Sequence, residues 1–257
     1  MTDPGPDIHR TALVEQVGQL AELARTADPQ APVPTCPEWT MRQLIAHVGR
    51  GDRWAATIVR TRSDEVIDPR TVDDGKPPAE PDAAADWLRG GAQALLDAVD
   101  ETGADTPVWT FTGPKPAGWW IRRRAHEAAA HRADAAIALG APFDLDPALA
   151  ADGVSEWLGL LTALRRRQAD GPLLPDGATL HLHATDEGLG SAGEWMIRPD
   201  GEGIAWEHGH GKGTVAVRGA AVDLFLALLR RLPADDTRLQ VLGEPAVFAT
   251  WLARTPF

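Results

Sequence analysis

The sequence predicts an α+β protein in which an antiparallel four-helix bundle is followed by a small α+β domain. Apolar residues recur at helical spacing in four segments before Gly140, as expected of a bundle. After Pro142 the texture changes to short alternating segments between glycine-rich turns, which read as strands. The length of 257 residues suits two ordinary cores. The predicted domains are residues 1–145 and 146–257.

The first helix covers about Ile8 to Arg25, where Leu13, Val17, Leu20 and Leu23 keep helical spacing. Four prolines then break the chain between Asp28 and Pro37, which ends the helix and makes a loop. Thr40 opens the second helix with Gln43 as its capping-box partner, and Leu44, Val48, Ala55 and Ile58 mark an apolar face with His47 at its edge. A polar stretch from Ser63 to Pro81 leads to a third helix, about Asp82 to Glu101, carrying Trp87, Leu88, Leu95 and Val99. The fourth runs from about Gly118 to Leu139, with Gly140 and Pro142 as stop signals. A fifth helix is expected over Pro147 to Gln168, then strands at Thr179 to Ala184, Glu194 to Arg198, Gly203 to Glu207 and Thr214 to Arg218. Helical periodicity returns at Ala221 to Leu232, before a strand at Arg238 to Leu242 and a last helix from Glu244 to Ala253.

Composition narrows the function. Twenty-five basic against 37 acidic residues give a net charge of -12, which argues against nucleic acid or an anionic membrane as the main partner. A small metabolite remains compatible. Cys36 is the only cysteine, so a disulfide framework and a four-cysteine zinc site are both excluded. The polar N-terminus lacks an apolar signal core and no stretch reaches the 18 or so apolar residues of a membrane span, so the expected location is the cytoplasm.

The fourth helix carries Arg124-Ala125-His126-Glu127-Ala128-Ala129-Ala130-His131. Glu127 and His131 are four residues apart and share one helical face, so both can reach one cation. His126 is five from His131, roughly 140° round the helix, and the zinc-protease pattern H-E-x-x-H is missed by one residue. His126 therefore reads as a packing residue. With His47 from the second helix the set becomes His47, Glu127 and His131, and an open three-ligand set is the pattern of catalytic rather than structural zinc.

Other chemistry-bearing residues have plainer readings. Cys36 sits between prolines with no local histidine and reads as structural. The pairs His181/His183 and His208/His210 lack a nearby carboxylate cluster in sequence and read as exposed polar positions. Trp119 and Trp120 either line a substrate mouth or simply pack. The triplet Arg122-Arg123-Arg124 reads as a solvated helix face.

Two stretches carry a family resemblance: Val33-Pro34-Thr35-Cys36-Pro37-Glu38-Trp39-Thr40-Met41-Arg42-Gln43-Leu44-Ile45-Ala46-His47, and Arg124 through Asp134. With them the chain resembles the mycothiol-dependent maleylpyruvate isomerase family, within the DinB-like group of metal-binding four-helix bundles. Val222 to Pro233 is similar to that family's small C-terminal domain. The resemblance implies a divalent metal, zinc or another, on His47, Glu127 and His131. It also implies mycothiol as cosubstrate and an arginine near the substrate, with Arg231 the first match and Arg218 the second. A ligated thiol is deprotonated and nucleophilic; it would add to an activated double bond, allow rotation and leave again, or displace a leaving group and stay attached. The implied function is thus isomerisation or S-transfer on a small electrophilic metabolite. Two alternatives stay open: a thiol-independent metal hydrolase or lyase working through bound water, and a non-catalytic metal-containing binding module.

Overall fold

The computed structural model describes residues 6–164, 172–201 and 203–255. They form two compact units, one ending at Phe143 and the other starting at Asp144.

The first unit is built on α1 (Pro6–Thr26), α2 (Met41–Thr61), α3 (Pro81–Thr102) and α4 (Trp119–Leu139). Local chemistry sets their ends. Thr40 caps α2 through a full capping box: its hydroxyl accepts from the Gln43 N–H, and its own N–H donates to Gln43 Oε1 at 2.8 Å. Pro81 stands at the start of α3, where its missing N–H costs nothing. Gly140 closes α4 in the left-handed conformation (φ 62°) and donates to the carbonyls of Ala136 and Ile137. Helices α1 and α2 each pack mainly on both α3 and α4, so they occupy opposite corners of the bundle.

Leu13, Val17, Leu20, Leu44, Val48, Leu88, Leu95 and Val99 are all buried in its core. Helix α4 is buried nearly all round, with Ala125, Ala128, Ala129, Ala130 and Ala133 fully enclosed. Small side chains there let neighbouring helices come close while leaving room for the long polar residues that α4 also carries. The first correction to the sequence reading lies here. Arg123 and Arg124 are each only 5% exposed, so they are not a solvated face; carboxylates inside the bundle hold them. Between α3 and α4 the chain also forms a small antiparallel hairpin, β1 (Pro107–Val108) with β2 (Lys115–Pro116). Strands of two residues are too short to show alternation, and the sequence reading did not include them.

The second unit runs α5 (Pro147–Leu164), β3 (Leu180–Ala184), β4 (Glu194–Asp200), β5 (Gly203–His208), β6 (Val215–Gly219), α6 (Ala221–Leu228), β7 (Gln240–Gly243) and α7 (Pro245–Arg254). The strands make one sheet in the order β5-β4-β3-β6-β7, with β3 and β6 parallel and the other neighbours antiparallel. Helix α6 packs on β3 and β6, and α5 on α6 and β5. Leu180, Leu182, Trp195, Ile197, Val215 and Val217 fill the core of this unit. The chain is therefore α+β, as its texture predicted.

Helix α6 is shorter than expected. It stops at Leu228 because Arg230 turns left-handed (φ 65°) and the Arg231 N–H folds back to the Leu226 carbonyl at 2.8 Å. Pro233, which follows, cannot continue a helix. The expected end of the fifth helix, beyond Leu164, lies outside the described residues. Among the described residues no helix is long and apolar enough to cross a membrane.

Candidate metal centre

Three side chains from two neighbouring helices of the first unit converge. His47 projects from α2, while Glu127 and His131 stand one turn apart on α4. Glu127 Oε2 lies 3.5 Å from His47 Nε2 and 3.5 Å from His131 Nε2. The three donor atoms all fall within 4.8 Å of one another. Ligands at about 2.0–2.2 Å around a tetrahedral cation stand about 3.3–3.6 Å apart, so the spacing of this trio suits one ion. The two imidazole rings meet edge-on with centroids 4.8 Å apart. His47 keeps 43% of its side chain exposed, against 4% for His131. The trio is therefore anchored on α4 and open to solvent beside α2.

His131 and Glu127 are each held by a second contact. His131 Nδ1 lies 2.8 Å from Asp134 Oδ2, and Thr35 donates to Asp134 Oδ1 at 2.5 Å. This carboxylate fixes the ring so that Nε2 faces Glu127, the arrangement that orients most metal-binding histidines. Arg123 donates to Glu127 Oε1 at 2.5 Å, leaving Oε2 to face the imidazoles. Arg124 donates to Asp52 Oδ1 at 2.7 Å and to the Val48 carbonyl at 3.0 Å, locking α4 to α2 one turn from His47. Asp52 is fully buried.

The loop before α2 completes the surround. Pro32 and Thr40 bridge, the Val33 N–H donates to the Trp39 carbonyl, and Val33 is fully buried. The tight turn so formed carries Thr35, Cys36 and Trp39 to the site. Trp39 places its ring 4.8 Å from His47 and 5.7 Å from His131. Cys36 Sγ lies 3.7 Å from Asp134 Oδ2. The lone cysteine thus adjoins the site, and with His131 and Asp134 it forms a second group of donor atoms within 4.8 Å. Its neighbours are invisible in the local sequence because they come from α4.

Protonation follows from these contacts. Burial pushes Glu127 up, but Arg123, hydrogen bonds from both imidazoles and Arg124 outweigh it and hold the carboxyl well below the usual range. Burial lowers His47, with the Glu127 hydrogen bond only partly opposing it. Burial also lowers His131, yet Asp134 and Glu127 overcome that and raise it. An ionised carboxylate and a neutral His47 are the forms that could coordinate a cation. His131 would release a proton to a cation.

His126, kept off the ligand set by its spacing, is 2% exposed and packs its ring edge-on 6.0 Å from His9 of α1. Trp120 is buried, and with Trp54 and Trp109 forms an aromatic cluster under the hairpin; Trp119 and Phe111 extend it. The remaining candidates lie in the second unit. Arg218 is on β6, and its Nε is buried with no hydrogen-bond partner among the described residues. Arg231 follows α6 and donates to the Leu229 carbonyl at 2.6 Å. His181 is 3% exposed and contacts Glu194, which corrects its reading as an exposed polar position: the carboxylate that the local sequence lacked arrives from the adjacent strand.

Comparison with known proteins bears on this geometry. The model of the mycothiol maleylpyruvate isomerase N-terminal domain matches residues 10–136, and that of the C-terminal domain of the same isomerase matches residues 148–250. The chain belongs to the mycothiol-dependent maleylpyruvate isomerase family. Two uncharacterized proteins of Mycobacterium tuberculosis, MT0763 of strain CDC 1551 / Oshkosh and Rv0738 of strain ATCC 25618 / H37Rv, are similar to it. Each is 30% identical over 161 residues, spanning 60% of this chain and 78% of the relative. This chain shares its fold with a solved mycothiol-dependent maleylpyruvate isomerase, with TM-score 0.64, 18% identity, and 95% of this chain and 97% of that one covered. A crystal structure of a histidine-to-alanine mutant of that enzyme aligns with TM-score 0.64 at 17% identity over the same shares.

Proposed function

We propose that this chain is a metal-dependent enzyme that uses mycothiol as nucleophile for isomerisation or S-transfer on a small electrophilic metabolite. The observation that carries this reading is the convergence of His47, Glu127 and His131 on one point, with Glu127 Oε2 3.5 Å from each imidazole nitrogen. Family membership supports the thiol, since the solved relative is named as a mycothiol-dependent maleylpyruvate isomerase.

A divalent cation such as zinc would supply Lewis acidity, bringing a ligating thiol well below its free pKa of about 8.5. The chain's own residues prepare the place for it. His47, Glu127 and His131 offer three ligands and leave further positions open. Asp134 holds the His131 tautomer, Arg123 occupies the second oxygen of Glu127, and Trp39 shields both rings from water on one side. Arg231, with Arg218 as second candidate, is proposed to pair with a substrate carboxylate, a task suited to the planar guanidinium fork.

The test is metal content together with mycothiol titration on one fresh sample, following heat and proton release. About one metal at the bundle trio and proton release on thiol addition are expected, with both lost in His131→Ala while far-UV circular dichroism is retained. Metal without thiol binding would instead favour activated water. Full metal retention in His131→Ala would sink the ligand assignment.

A further inference from the structure

A second convergence of candidate ligating side chains lies in the second unit and shares no residue with the bundle trio. His181 and His183 alternate with the core residues Leu180 and Leu182 along β3, so both imidazoles leave the same face of the sheet. Glu194, the first residue of β4, pairs directly with His183. His210 comes from the segment after β5, two residues past its last residue, His208. These three stretches bring His181 Nε2 to 3.0 Å, His210 Nδ1 to 2.7 Å and His183 Nδ1 to 3.9 Å from one oxygen, Glu194 Oε2. All four donor atoms lie within 4.8 Å of one another.

The surroundings are arranged for this approach. The Glu194 carbonyl accepts from the Gly209 N–H at 3.3 Å and lies 3.0 Å from His208 Nδ1, which turns the chain back over β4. A side chain at Gly211 would meet Met196 Sδ at 3.0 Å, and one at Gly213 would run into the backbone of Val215 and His181. Glycine at both positions lets the segment lie against the sheet. Arg218, the register neighbour of His183 on β6, makes no ion pair with Glu194 among the described residues. The carboxylate is left to the imidazoles.

We propose that His181, His183, Glu194 and His210 form a second divalent transition-metal site, closed by four protein ligands and tying the 209–214 segment to the sheet. Tetrahedral ligands at about 2.0–2.2 Å stand about 3.3–3.6 Å apart; the three separations from Glu194 Oε2, 2.7 to 3.9 Å, differ from that spacing by less than 1 Å, and the imidazole donors lie within 4.8 Å of one another. Three imidazoles with one carboxylate select zinc, nickel, cobalt or copper(II) over calcium and magnesium, which take oxygen ligands. Four ligands from separated stretches make the closed set of a structural site, unlike the open trio in the bundle. His210, exposed over 74% of its side chain, is the ligand on the solvent side of the site.

The experiment is a cobalt(II) titration of tag-free, metal-stripped full-length protein, read by visible absorbance and by metal content after gel filtration. Two equivalents are expected for the wild type, one for His131→Ala, one for His210→Ala and none for the double variant. The equivalent kept by His131→Ala should show the intense bands of tetrahedral cobalt and disappear with either His183→Ala or His210→Ala. His47→Ala replaces His131→Ala if the latter misfolds. The proposal is overturned if the bundle variants retain no metal, or if their remaining equivalent survives loss of His183 and His210. Failure of the bundle site alone would look different: one equivalent in the wild type and none in His210→Ala.

Discussion

Asp134 shows how one side chain can govern a site by orienting one of its candidate ligands. It is fully buried, takes the Thr35 hydroxyl on one oxygen and faces His131 Nδ1 with the other. Asp134→Asn keeps the shape but loses the charge that orients and polarises the ring. Metal affinity should drop by about 10–100-fold, measured by competition with a chromogenic chelator, while the melting temperature of the metal-free protein moves far less. Unchanged affinity would mean that His131 is oriented by packing alone. The Arg124–Asp52 pair is the other residue-scale commitment. Its members are 6% and 0% exposed at the side chain, so neither charge has water to fall back on. Breaking it with Arg124→Met should cost about 3–5 kcal/mol in urea unfolding. A loss below about 1 kcal/mol would show that the pair behaves as a surface one.

At the scale of elements, the contact between α2 and α3 depends on a missing side chain. A Cβ at Gly49 would collide with the Trp87 ring, whose indole N–H donates to the Asp74 carbonyl at 2.8 Å and is thereby held in place. Gly49→Ala gains up to about 1 kcal/mol in helix propensity, but overpacking typically costs about 1–3 kcal/mol. The net expectation is destabilisation, with Gly49→Ala less harmful in a Trp87→Leu background. Equal stability of Gly49→Ala and the wild type by chemical unfolding would show that the ring can move aside. Helix α4 makes the complementary point. Its alanines pack closely while Arg123, Arg124, His131 and Asp134 project into the same crowded interior, and the candidate ligands on α4 gain their rigidity from that enclosure.

At the scale of the whole molecule, two compact units each carry a core and a cluster of imidazoles with a carboxylate. Added zinc should therefore stabilise the metal-stripped protein at two places. Saturation at about 100 times the dissociation constant contributes about 2.7 kcal/mol per site. Differential scanning calorimetry should show the rise shrinking in His131→Ala and in His210→Ala, and vanishing only when both are combined. A rise that persists in the combined variant would place the cation elsewhere. The sequence by itself determined the α+β class, the helices α1 to α4, the capping box at Thr40 and the four-residue spacing of Glu127 and His131. These are local properties, written in periodicity and in residues that start or stop a helix. Only the tertiary structure decided that Arg123 and Arg124 are buried, that Thr35, Cys36 and Asp134 meet beside His131, and that His181, His183 and His210 share Glu194. Most of those partners come from different elements, and whether a charged side chain meets water or a carboxylate is settled by packing between elements, which periodicity does not encode.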